Sequence, residues 1–121
     1  MNTEMHRNAS DLDAWSHRDW SDGVQVDALP ELTRLFVRTR NSQYELIVIS
    51  ARASHVLVRG GEFFPEFERV RLAGSCLGGS FLKLHGIYIG FQMELHRDTD
   101  FIVTTKVRSI SRADSNPLPI A

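Results

Sequence analysis

The sequence predicts an all-β domain: a small six-stranded meander barrel or compact sandwich, SH3-like in general shape, behind an N-terminal arm carrying a short helix. Three observations predict it. Ile87, Ile89, Phe91, Met93 and Leu95 alternate with Tyr88, Gly90, Gln92, Glu94 and His96. That period of two belongs to a strand with one face on a core and one toward water. Short runs of β-branched and aromatic residues also follow one another closely, separated by turn residues. Finally, 121 residues fit one domain, and a composition 42% hydrophobic and 24% charged excludes disorder throughout. Closing such a meander removes edges that would otherwise aggregate. The SH3 comparison concerns shape alone and imports no activity.

Taken in order, residues 1–9 are polar and expected to be disordered. Ser10 can cap a short helix, with Asp11 and Asp13 in the first turn, where the helix dipole favours negative charge. Leu12, Trp15 and Trp20 are its apolar contacts, and Asp22-Gly23 ends it. Val24–Leu29 reads as an extended link, and Pro30 resets the chain. The first strand is Arg34–Arg40, the turn Asn41-Ser42, and the second strand Tyr44–Ala51. The run Leu46-Ile47-Val48-Ile49 is apolar on both faces, so that strand is expected to be central. His55–Arg59 is a short third strand, and Gly60-Gly61 supplies a turn of positive φ. Phe63-Phe64-Pro65 is expected to be a loop with buried aromatics, since proline cannot sit in a central strand. Val70 and Leu72 mark a fourth strand, and residues 74–80 a glycine-rich loop. Phe81–His96 holds a long fifth strand with a break at Gly86, and Phe101–Ile110 the sixth. Pro117 and Pro119 mark an extended tail. The domain organisation is therefore an acidic arm (1–32), a β-domain (33–110) and a tail (111–121).

The net charge of −1 conceals an asymmetry. Residues 1–32 hold two basic and seven acidic residues, a net of −5; residues 33–110 hold eleven basic and seven acidic, a net of +4. Two differently composed solvated surfaces would give this pattern. So would an arm that covers a basic surface otherwise used for an anionic partner.

Enzyme signatures are sparse. Gly74 and Gly79 match the first part of a phosphate-binding loop, but Ser80 stands where lysine is required, and no helix is expected to follow. The turn reading is preferred there, with a backbone anion nest as the alternative. Cys76 would need a nearby base to become a thiolate, and sequence places no histidine beside it. The five histidines show no metal-ligand spacing, and the acidic residues of 33–110 form no recognisable dyad. No cofactor and no metal site is expected. No stretch approaches the roughly 20 apolar residues of a membrane helix. The N-terminus lacks the apolar core of a secretory signal, and the single cysteine cannot form an internal disulfide; both point to the cytoplasm.

The strongest binding signal is in the first strand. Arg34, Phe36, Arg38 and Arg40 share one face, and Leu35, Val37 and Thr39 the other. Arginine pairs bidentately with carboxylates or phosphates, and a ring among them offers a stacking surface. Lys106 and Arg108 supply a second basic strip on the last strand, which in a closed meander can neighbour the first. The competing reading is a solvated strand whose charges discourage aggregation.

Thr39-Arg40-Asn41-Ser42-Gln43-Tyr44, the Gly-Ser…Gly-Gly-Ser segment and Thr104–Ile110 resemble landmarks of small uncharacterised bacterial all-β proteins, over residues 35–110. The resemblance implies a bacterial, non-catalytic protein and transfers no activity. The expected function is a binding or accessory module that takes a protein or acidic peptide on the basic strand face or at a sheet edge. Self-association is a further expectation. The alternatives are nucleic-acid binding by the same arginines and a small enzyme using Cys76 or a histidine.

Overall fold

The computed structural model describes residues 20–78 and 80–113. The helix expected from Ser10 and the Pro117/Pro119 tail lie outside these residues. The elements are β1 (Gly23–Gln25), a 3-10 turn (Val26–Ala28), β2 (Arg34–Thr39), β3 (Gln43–Ser50), β4 (His55–Gly60), β5 (Phe64–Leu77), β6 (Ser80–Leu84), β7 (Gly86–Tyr88), β8 (Gln92–His96) and β9 (Phe101–Arg112). The chain is thus nearly all β, and no described helix is long and apolar enough to cross a membrane.

Seven strands form one sheet in the order β4-β3-β2-β9-β8-β5-β6, and β1 pairs with β7 separately. All pairings are antiparallel. β4 also pairs with β5, so β2, β3, β4, β8 and β9 each have a strand on both sides. β5 makes this possible by its length. Its first half lies against β4, and its second half lies between β8 and β6.

Alternation decides which face turns inward. Leu35, Val37 and Thr39 of β2 are buried, as are Leu46 and Val48 of β3 and Val56 and Val58 of β4. The apolar ones among them meet Phe64, Val70, Leu72, Ile87, Met93, Leu95, Ile102 and Val107 in one core. Burying each such side chain contributes about 1.5–3 kcal/mol. β3 lies between β2 and β4, the central position its apolar run requires.

Several expected boundaries change. The 74–80 loop is not a loop: Gly74–Leu77 belong to β5 and Ser80 begins β6. Gly74 is needed because two strands close on it. Its φ is +149°, and a Cβ there would stand 2.1 Å from the Lys83 carbonyl oxygen. Ser75 is buried, donating through Oγ to the Gly86 carbonyl and accepting from the Tyr88 amide, which ties β7 to β5. Phe64 is buried as the aromatic reading requires, but Phe63 is exposed, and Pro65 lies inside β5. Proline is tolerated there at the start of the strand, opposite a register shift between Val58 and Gly60.

The long strand of 81–96 is three strands. His85 (φ +63°) separates β6 from β7, and Gly90 (φ +94°) lies in a turn that the Phe91 amide closes onto the Tyr88 carbonyl. Ile87, Phe91, Met93 and Leu95 remain inside, whereas Ile89, displaced by that turn, is 39% exposed. The segment assigned to the arm also reaches the core. β1 pairs with β7, Val26 is fully buried, and Trp20 packs edge-on against Tyr88 at 4.8 Å. Burial, rather than charge, draws this boundary, and charge is what composition detects.

Candidate functional site

Arg34, Phe36 and Arg38 lie on the outward face of β2, opposite the buried Leu35, Val37 and Thr39, and the exposed Arg40 follows the end of the strand. They are not equivalent. β3 brings Glu45 opposite Phe36, and Glu45 takes Arg34 at 3.0 Å and Arg59 of β4 at 2.7 Å. The Arg59 guanidinium also covers the Phe67 ring at 4.2 Å. Arg34 is therefore already paired with a carboxylate of the domain. Arg38 and Arg40 are exposed and make no ion pair among the described residues.

β9 lies beside β2, so the two basic strips meet. The Arg40 amide donates to the Lys106 carbonyl at 3.0 Å. A hydroxyl relay fixes the turn above it: Thr105 Oγ1 donates to Thr39 Oγ1 at 2.9 Å, and Thr39 Oγ1 accepts the Ser42 amide. The ladder shifts register between Arg38, opposite Ser109, and Thr39, opposite Val107, which leaves Arg108 as the extra residue of a bulge. Bulges re-aim side chains. Here Lys106 and Arg108 are exposed on either side of the buried Val107. Arg40, Lys106 and Arg108 then line a groove of about 560 Å³ with Ile89 and Gln92. Phe36 and Arg34 are not part of it. Sequence gave no sign of the bulge, the groove, or the contribution of Ile89.

A second basic concavity was missed altogether. His55, Arg69, Arg71, His96, Arg97 and Asp98 line a groove of about 450 Å³ on the far side of the sheet order. Arg71 lies opposite His55 on β4 and opposite His96 on β8, so three paired strands set the three side chains in one row. Arg69 Nη2 is 3.0 Å from His55 Nδ1, and Arg71 Nη2 is 3.4 Å from His96 Nδ1. His96 Nε2 lies 2.6 Å from Glu94, and its ring stacks on the exposed Phe101. At the rim Arg97 grips Asp100 with two hydrogen bonds, 2.9 and 3.0 Å. Those bonds hold the Asp100 carboxyl below its ordinary range and raise the guanidinium in turn. The available signal was the alternation of Arg69 and Arg71 around Val70. Their partnership with histidines 14 and 25 residues away requires the register.

Cys76 is 1% exposed, so its thiol is shut away from solvent. No group of three or more His, Cys, Asp or Glu side chains able to hold a metal ion occurs among the described residues. Burial raises the Tyr44 and Tyr88 phenols above their ordinary range and keeps both neutral. Comparison with protein-family models, with curated proteins and with solved structures gives no match.

Proposed function

We propose that this protein is a non-catalytic binding module whose β2–β9 face takes an acidic segment of a protein or peptide. The observation that carries the reading is the groove in which Arg40, Lys106 and Arg108 stand around the exposed Ile89. Three cations without carboxylate partners among the described residues attract acidic side chains, and an apolar floor rewards an aliphatic neighbour. Arg38 extends the positive face along β2. Arg34 and Phe36 are outside the groove and contribute less to this proposal. We read the return of β4 onto β5 as the expected barrel, a rigid support for such a face. The buried Cys76 makes thiol catalysis the weakest alternative. A cytoplasmic site of action, a bacterial source and self-association belong to the same proposal.

The test is fluorescence anisotropy with a labelled acidic, leucine-containing peptide. Arg40→Gln with Lys106→Gln is expected to weaken binding tenfold or more and leave the fold intact. Unchanged binding in that variant removes the face from consideration. Affinity for a single-stranded oligonucleotide that exceeds peptide affinity and falls steeply with salt would replace the peptide by nucleic acid.

A further inference from the structure

We infer that the His55–Arg71–His96 row is a second, separate binding site, and that its ligand is a phosphate monoester dianion. The chemistry of the donors points there. A guanidinium can only donate, so Nδ1 of both histidines must accept. Each imidazole then carries its proton on Nε2. His96 spends that proton on Glu94. His55 Nε2–H has no acceptor among the described residues, and neither Arg69 nor Arg71 has a carboxylate partner among them. The groups that Arg69, Arg71 and His55 leave without partners among the described residues are donors alone: the remaining N–H groups of two guanidiniums and one imidazole N–H, on residues that line the groove.

A ligand for such a surface has acceptors and no donors. It carries about two negative charges to match Arg69 and Arg71, and its oxygens are arranged to accept from a planar fork. A fully ionised phosphate monoester has all three properties. Arg97 is excluded from this count because Asp100 and Glu68 already hold it. Asp98 also lines the groove and repels an anion near it, which directs the phosphate toward Arg69, Arg71 and His55. Arg34 and Arg59, by contrast, share the Glu45 carboxylate, so the row differs from them in having histidines rather than a carboxylate against its guanidiniums.

The experiment is titration of the full ¹⁵N-labelled chain with inorganic phosphate, phenyl phosphate and dimethyl phosphate, followed by NMR. Phosphate and phenyl phosphate are expected to shift resonances of residues 55, 69, 71 and 96 along one saturating curve. Dimethyl phosphate, a singly charged diester, is expected to bind at least tenfold more weakly. Arg71→Gln is expected to weaken phenyl phosphate at least tenfold, while Arg112→Gln, which removes the same charge elsewhere, changes it less than twofold. Equal affinity for the diester, equal losses in the two variants, or shifts confined to residues 40 and 105–108 would each overturn the assignment. The wild-type titration decides the question even where a variant fails to fold.

Discussion

Two arginine clusters decorate the outer surface of this sheet, and their surroundings give them opposite properties. Around Glu45, two guanidiniums converge on one carboxylate that is itself only 12% exposed. Around Arg71, two guanidiniums rest against imidazole nitrogens instead. The first cluster is closed in the sense that each guanidinium has a carboxylate partner within the domain. The second remains electrostatically open. Charge content does not distinguish them; cross-strand register does, by choosing which residue of the neighbouring strand each arginine meets.

The comparison breaks most severely at Gly74. Gly74→Ala would drive a Cβ into the Lys83 carbonyl at a φ that alanine resists, and is expected to cost about 3 kcal/mol. The urea midpoint reports the loss. The damage falls on the second half of β5, three residues beyond Arg71, so resonances of His96 should shift more than those of Glu45. Equal disturbance of both would mean that the two clusters are not independent.

A smaller effect separates the clusters directly. Glu45→Gln removes the negative charge shared by Arg34 and Arg59 and is expected to cost about 1 kcal/mol, since both arginines are half exposed. Arg69→Gln removes a guanidinium without a carboxylate partner among the described residues and is expected to stay within about 0.5 kcal/mol. Denaturant unfolding of the two variants side by side measures the difference, and equal costs would erase the distinction drawn here.

The smallest effect lies at the rim of the open cluster. The Arg97 hydrogen bond depresses the folded pKa of Asp100, despite an opposing desolvation effect. A depressed carboxyl favours folding above its unfolded value, and the contribution disappears as pH falls through the folded value. Arg97→Gln is expected to return Asp100 toward the ordinary carboxylate range in an NMR titration. Because the pair is exposed, the thermal midpoint at neutral pH should barely move.

How far the sequence reaches can be followed along β2. Its alternation alone assigned Leu35, Val37 and Thr39 inward and the arginines outward, and the structure agrees residue by residue. Ile87–Leu95 shows the limit. The same alternation hides a turn at Gly90, because turn geometry and strand both tolerate that pattern, and Ile89 leaves the core as a result. Glycines 74 and 78 look alike in sequence, yet only Gly74 is pressed between strands.

By itself, then, the sequence determined the β class, most strand positions, the inward face of β2 and the presence of a basic outer surface. These follow from local periodicity and turn chemistry, which one segment carries alone. The tertiary structure decided which strands neighbour one another, that Val24, Val26 and Leu29 pack into the core, that Arg34 is ion-paired while Arg38 and Arg40 are not among the described residues, and that Arg69 and Arg71 meet histidines. The physical reason is that a side chain's charge is local, whereas its partner is set by hydrogen-bonded register between strands far apart in the chain, and only the folded sheet fixes that register.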